Sequence, residues 1–340
     1  MKVLFIGGTG LISSACTALA LRSGIDLHLL TRGQRPLDFL PPGCPQPTII
    51  SADIRDPASA HAALAPHMRR AAYDCIVNFI AFGPDDVTRD LELFANRTAH
   101  YILISSCAVY QKPPAHYLIT EATPISNPFW SYAQQKIAAE NILTAAIRER
   151  RFPGTIVRPS HTYADARIPA AYHNSTHSWT TAWRLLHHHP IIIHGDGTSL
   201  WQLTHAEDFA RGLIGLLGRP DALGESFHIT SDEVLTWNQI LATLADLLGA
   251  APNFIHIPSD FIARHDPERG AGLLGDKAHS IVFDNSKIKR FVPTYRATIP
   301  FRTGLARTLN WFRADPARQT IDPVFNTLAD QIIAAYQRAL

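Results

Sequence analysis

Tyr132-Ala133-Gln134-Gln135-Lys136 sets a phenol and an ammonium four residues apart, which on a helix is one turn along the same face. A phenol with a free pKa near 10 is a poor base at neutral pH, and a neighbouring ammonium that holds it roughly 2 to 3 pH units lower contributes about 3 to 4 kcal/mol. Tyr132 then exchanges a proton with a hydroxyl or carbonyl oxygen. The spacing alone is common on exposed helices. Its weight comes from Ser105-Ser106-Cys107-Ala108-Val109-Tyr110, which closes an apolar stretch reading as a strand. There Ser106 either hydrogen-bonds the same substrate oxygen while a hydride moves at the adjacent carbon, or caps the following turn. Ser106, Tyr132 and Lys136 are the candidate catalytic residues.

A hydride needs a carrier, and Gly7-Gly8-Thr9-Gly10-Leu11-Ile12-Ser13 lies between an apolar strand and a helix, where backbone N–H groups and the positive helix end hold a pyrophosphate. Gly7, Thr9, Gly10, Leu11 and Ile12 are its contact candidates. Ser13 replaces the third glycine of the usual pattern, crowding helix against strand while offering a hydroxyl. The second strand ends Leu30-Thr31-Arg32-Gly33, so the carboxylate that binds an adenosine ribose 2′-hydroxyl is absent and Arg32 stands near its place. The expected cofactor is NAD(P), with NADP(H) favoured over NAD. Arg35 either adds a second charge for a 2′-phosphate or is, like Arg32, a solvated loop residue. Asp53-Ile54 is placed to meet the adenine, with Asp53 either accepting from its amino group or forming a turn.

The elements that must position these groups alternate strand, turn, helix. Strands are predicted at Val3–Ile6, Leu27–Leu30, Thr48–Ser51, Cys75–Ile80, Tyr101–Ser105 and Thr155–Arg158, and helices at Ile12–Arg22 and Trp130–Arg150. Gln34–Pro47 carries five prolines and reads as a helix-poor connection. Beyond Pro159, helices are expected at Ser178–His187, Ala206–Leu217, Trp237–Leu248 and Pro323–Leu340. The order implies an α/β fold, a Rossmann-type doubly wound parallel sheet with a smaller, mostly helical C-terminal substrate domain. Residues 1–160 form the dinucleotide-binding domain, with a returning segment near 194–218, and residues 161–340 mainly the substrate-binding domain.

A chain of 340 residues, 46% hydrophobic, buries a sizeable core. A formal net charge of +2 offers no electrostatic footprint for nucleic acid or an anionic membrane, so the expected partner is a small-molecule substrate. No apolar run approaches the roughly 20 residues of a membrane span. The start imitates a signal peptide, but Gly7, Gly8 and Gly10 break its apolar centre. Cys16, Cys44, Cys75 and Cys107 lack C-x-x-C spacing, which fits reduced thiols and a cytoplasmic location. The triplet His187-His188-His189 points in different directions on a helix, and no metal is expected.

Together these residues resemble the extended short-chain dehydrogenase/reductases, the NAD-dependent epimerase/dehydratase group. The resemblance covers nearly the whole chain: the Gly7 loop, Asp53-Ile54, Asn78-Phe79-Ile80-Ala81, Ser106, Tyr132, Lys136, Arg158 to Tyr163, His194-Gly195-Asp196-Gly197, Thr204 to Asp208 and Asp284 to Lys287. It implies that Phe79, Ile80 and Ala81 contact the cofactor, that Lys136 also binds the nicotinamide ribose, and that Pro159 to His161 border nicotinamide and substrate.

The departures are as informative. Sugar-nucleotide dehydratases of this group carry an Asp-Glu pair after the catalytic Ser or Thr, where Cys107 and Ala108 stand here, so 4,6-dehydration is disfavoured. The Arg that clamps a substrate diphosphate is replaced by Trp201, which leaves either another anchor, Lys277 or Arg269, or a substrate without the diphosphate. Candidate substrate residues are Ser106, Cys107, His161, Trp201 and Lys277. The resemblance implies a homodimer, but Phe82–His100 is about half the family's usual length, which shortens its dimer helices. The reading is an NAD(P)-dependent oxidoreductase or epimerase acting on a secondary alcohol or ketone of a sugar or sugar nucleotide. The alternative is a non-catalytic dinucleotide sensor or RNA-associated relative that keeps the fold.

Overall fold

The computed structural model describes residues 1–68 and 72–340. Seven strands form one parallel sheet: β1 (Lys2–Ile6), β2 (Asp26–Thr31), β3 (Thr48–Ser51), β4 (Cys75–Asn78), β5 (Tyr101–Ile104), β6 (Gly154–Pro159) and β7 (Ser226–Ile229), in the order β7-β6-β5-β4-β1-β2-β3. The central strands are short apolar runs because both faces are covered. In β1, Val3 and Phe5 enter one core with Cys16 and Ala20 of α1 (Ser13–Arg22). Leu4 and Ile6 enter the opposite core with Ala139 and Leu143 of a long helix spanning Ser131–Arg148. The order reverses at β1, which pairs with β2 on one side (Ile6 opposite Leu30) and β4 on the other (Ile6 opposite Asn78). Ligands of such sheets bind in the crevice that opens at this switch point.

The predicted strands recur with small shifts. β4 stops at Asn78 rather than Ile80 because the Asn78 side chain accepts from the Ile80 N–H at 2.8 Å and turns the chain. The strand β7 has no predicted counterpart: it is four residues long and broken in character by His228. It joins the sheet by pairing with β6, Phe227 opposite Val157.

The remaining chain builds a further apolar cluster around Trp179, Trp201, Trp237 and Phe312. Its predicted helices recur as Trp179–Leu186, Ala206–Leu216, Trp237–Leu248 and Pro323–Ala339. Ala206–Leu216 packs on α1 and shares its core. Short strand pairs join this part, including His161–Tyr163 with Leu203–His205 and Ile191–His194 with Phe254–Ile257. A π-helical turn, Leu273–Lys277, escapes sequence reading because it is short, contains Gly275 and follows Gly270 and Gly272. Pro84–Phe94 is the helix that fills the shortened segment after β4. Among the described residues no helix is long and apolar enough to cross a membrane.

Candidate active site

One cleft of about 890 Å³ runs along the C-terminal ends of the strands. Its lining follows directly on strand ends: Gly7 after β1, Arg32 after β2, Asp53 and Ile54 after β3, Phe79 and Ile80 after β4, Ser106 after β5, and Ser160 and His161 after β6. Thr9, Gly10, Leu11 and Ile12 complete the loop side, and Tyr132, Lys136, Pro159, Cys107, Trp201 and Lys277 line the same space. Ala81 does not line it; the residue is fully buried and its carbonyl faces Lys136 instead.

The glycine loop fits a dinucleotide pyrophosphate. Gly7 and Gly8 have φ of +100° and +103°, and a Cβ on Gly8 would stand 2.8 Å from Leu29 Cδ2, so backbone alone forms the floor. At the start of α1, Ile12 supplies no side-chain cap and the first turn holds no acid, leaving helix N–H groups available to an anion. Ser13 uses its hydroxyl within the loop, accepting from the Gly10 N–H at 2.8 Å. Arg35 is more than loop surface: its guanidinium donates to the Thr9 carbonyl at 3.4 Å. Asp53 is a turn former, accepting from the Arg55 N–H at 3.0 Å, while its other oxygen faces Arg32 at 4.0 Å.

Around Ser106 the geometry corrects one expectation. Lys136 is 2% exposed, and its ammonium donates to the Ala81 carbonyl at 2.6 Å and the Ile104 carbonyl at 2.9 Å. Burial pulls its pKa down to about 8, against the pull of Glu140 and Asp86. The ammonium stands 5.9 Å from the Tyr132 ring centroid, and its charge is directed at the two carbonyls. Burial therefore raises the Tyr132 phenol above its ordinary value, and a hydrogen bond with Ser106 opposes the rise. The lowered phenol expected from i, i+4 spacing is absent because burial outweighs the Ser106 hydrogen bond and the Asp276 charge adds to the rise. Ser106 also caps the turn Cys107–Val109, accepting from the Ala108 N–H at 3.1 Å, which is the second of its two expected roles. Ser105, in the same lining, has a buried Oγ without a partner among the described residues.

Beside the expected Lys277, the cleft lining holds Asp276, Arg167, His173 and Trp130, which no motif announced. Asp276 and Lys277 come from the π-helical turn, 3.3 Å apart. Trp201 is 1% exposed, with its Nε1 unpartnered among the described residues. Burial and then the Lys277 charge push His161 well below its ordinary value. Cys107 borders the cleft, but its Sγ donates to the Arg158 carbonyl at 3.2 Å and burial raises its pKa far above the ordinary thiol value, so it offers no reactive thiolate. Arg269, the alternative anchor, is committed elsewhere: it bonds Asp266 at 2.9 Å and the His173 carbonyl at 3.1 Å, outside the cleft lining. Behind β6, Arg158 and Glu140 form a buried pair at 2.9 and 2.6 Å that ties the helix carrying Tyr132 to the strand leading to His161.

Among the described residues no group of three or more His, Cys, Asp or Glu is placed to hold a metal. His187 and His189 stack on Trp183 at 4.5 and 5.1 Å. The four cysteines are free thiols, and Trp179 packs on Phe312 in the core.

Sheet order, glycine turn and cleft together define a dinucleotide-binding α/β protein. The model of the NAD dependent epimerase/dehydratase family matches residues 3–230, and the chain belongs to that family. It is 25% identical over 198 residues to 2'-dehydrokanamycin reductase of Streptomyces kanamyceticus, covering 57% of this chain and 54% of that protein. It is 23% identical over 271 residues to the chloroplast stem-loop binding protein of 41 kDa b of Arabidopsis thaliana, covering 76% and 67%. The aligned part thus spans about half of the first relative and about two thirds of the second. Among solved structures, the epimerase Mth375 of Methanothermobacter thermautotrophicus superposes with a TM-score of 0.74 at 19% identity, covering 94% of each chain, which is a likeness of fold.

Proposed function

We propose that this protein is an NADP(H)-dependent oxidoreductase or epimerase that interconverts a secondary alcohol and a ketone on a sugar or sugar nucleotide. The observation that carries the reading is the convergence of Ser106, Tyr132 and Lys136 on one cleft with the glycine loop. A bound nicotinamide supplies or accepts the hydride. The chain's own groups do the rest. Ser106 and Tyr132 hold the reacting oxygen, and Tyr132 moves its proton. A phenol held protonated by burial is a donor, which suits reduction of a ketone in the resting protein. Lys136 fixes the ends of β4 and β5 through Ala81 and Ile104 and lines the space a nicotinamide ribose would take. Arg32 and Arg35 beside the loop favour a 2′-phosphate. Cys107 and Ala108 supply no acid for 4,6-dehydration, and Asp276 is paired with Lys277.

The test is Tyr132→Phe, which should keep NADPH affinity and lose turnover by about 10² to 10⁴-fold. Undiminished activity in that variant on an identified substrate would reject the mechanism. Denaturing purified protein separates the two chemistries: co-released NAD(P) marks an epimerase that retains its cofactor, and an empty site marks a reductase or dehydrogenase. The similarity to a stem-loop binding protein supports a second reading, a non-catalytic dinucleotide-binding relative. It predicts that the native protein and Tyr132→Phe both bind NADPH and that neither turns over a sugar substrate.

A further inference from the structure

We infer that Asp90 is a positioning residue for the cofactor: through the Asn78 amide on one side, and through Arg89 and Asp86 on the other, it holds the cleft wall formed by residues 79–83 and the carbonyl that takes Lys136. The inference rests on the reading of this cleft as a dinucleotide site and adds to it a residue that lies outside the cleft.

The wall leaves the sheet at Phe79, whose N–H donates to the Ile6 carbonyl at 3.0 Å. Beyond that point side chains hold it. Phe79, Ile80 and Phe82 line the cleft, and a Cβ on Gly7 would stand 3.2 Å from Ile80 Cγ2, so the wall also bounds the glycine loop. Asn78 accepts from the Ile80 N–H at 2.8 Å. Asp86, in the first turn of the helix Pro84–Phe94, accepts from the Phe82 N–H at 2.8 Å and the Gly83 N–H at 3.3 Å. Between these two anchors Ala81 turns its carbonyl to the Lys136 ammonium at 2.6 Å.

Asp90 governs both anchors. It is fully buried; one carboxylate oxygen accepts from the Asn78 amide and from the Tyr101 hydroxyl at 2.6 Å, and the other accepts from Arg89 at 3.0 and 3.3 Å. Arg89 reaches on to Asp86 at 2.9 Å. Burial raises the Asp90 carboxyl, and the Arg89 charge and these hydrogen bonds oppose the rise; donors on both oxygens are what a carboxylate takes. An amide has one donor end and one acceptor end. Because a carboxylate only accepts, Asn78 must turn its NH2 to Asp90, and its oxygen is left for the Ile80 N–H. Reversed, the amide would set donor against donor at Ile80 and release the wall. The helix that supplies Asp86, Arg89 and Asp90 is the one filling the shortened segment after β4, so the brace lies where the chain departs from its family's usual length.

The experiment uses Asp90→Asn, alone and combined with Asn78→Asp. In the single variant Arg89 keeps the oxygen of the new amide, whose NH2 then meets the Asn78 NH2, and Asn78 turns over. Adding Asn78→Asp returns accepting oxygens to both the Ile80 N–H and the amide at position 90 without changing the net charge. Each protein is titrated with NADPH and with adenosine 2′,5′-bisphosphate, which occupies the Arg32 end of the cleft and stops short of Ala81 and Lys136, and heat is read. Asp90→Asn should weaken NADPH by about tenfold or more, as the loss of one buried hydrogen bond implies, and the bisphosphate by less than about twofold; the double variant should recover NADPH to within about threefold of the native protein. Asp86→Ala, at a partly exposed position, should by itself weaken NADPH at least about threefold. Native NADPH affinity in Asp90→Asn, equal losses of NADPH and bisphosphate, or a double variant no better than the single one would overturn the inference. Should Asp90→Asn fail to fold, Asp86→Ala decides, and undiminished NADPH affinity there overturns it as well. The titrations need no turnover, and Tyr132→Phe should give the same curves as the native protein, so this inference and the catalytic reading fail separately.

Discussion

Replacing Lys136 with Met removes an ammonium that is 2% exposed and donates to two backbone carbonyls. Two opposing terms set the effect on stability at pH 7. Lowering the group from 10.5 to about 8 means that keeping it charged in the folded protein costs about 3 kcal/mol, at about 1.4 kcal/mol per tenfold change in proton affinity. Methionine lifts that cost but leaves the Ala81 and Ile104 carbonyls without this donor, at about 1 to 3 kcal/mol each. The terms are of similar size, so Lys136→Met should lie within about 3 kcal/mol of the native protein by urea denaturation at pH 7. The pH dependence is sharper. Between about 8 and 10.5 the unfolded chain still holds the Lys136 proton and the folded protein has released it, so stability attributable to this group rises with pH. Native stability minus that of the variant should therefore grow by about 3 kcal/mol from pH 7 to 10.5. NADPH affinity of the native protein should fall as pH passes 8, and the variant should bind weakly at every pH. A stability difference that stays flat over this range, or a variant that binds NADPH normally, would refute the role given to Lys136.

Other outcomes follow from the same geometry. Gly8→Ala puts a Cβ 2.8 Å from Leu29 Cδ2 at a φ of +103°; it should cost about 1 to 3 kcal/mol in denaturant and abolish NADPH binding seen by fluorescence titration. Arg32→Ser should weaken NADPH at least about tenfold and leave NADH unchanged, since only the 2′-phosphate answers to that charge; equal losses would place Arg32 elsewhere on the dinucleotide. His100 and His194 are buried, and burial holds each near a pKa of about 4. Their unfolded forms take protons first, so stability should fall as pH drops from 6.5 to 4, by up to about 3 kcal/mol for each, and His100→Gln should remove part of that slope in acid titrations followed by circular dichroism.

Much of the site was legible because its signals are local. The glycine turn announces itself through a strand before it and a helix after it, and Tyr132 and Lys136 share a helix face by spacing alone. Strand ends carry Arg32, Asp53, Ser106 and His161 to one edge once the sheet is parallel. Other features carry no such mark. Ala81 reads like its neighbours Phe79 and Ile80, yet only its carbonyl is used. Arg269 and Lys277 are equally basic in the sequence, and the fold decides between them: Asp266, three residues earlier, and the distant His173 carbonyl hold the first, while the second lines the cleft.

The amino-acid order by itself determined that hydride chemistry has its parts: a turn that only glycines fit, a serine after a strand, and a phenol and ammonium one turn apart. Tertiary structure alone decided how those parts are charged and what surrounds them. Burial raises Tyr132, two carbonyls from neighbouring strands capture Lys136, and a π-helical turn more than a hundred residues away brings Asp276 and Lys277 to face them. Spacing can say which side chains share a face, but proton affinity depends on solvent exclusion and on partners that only the folded chain assembles.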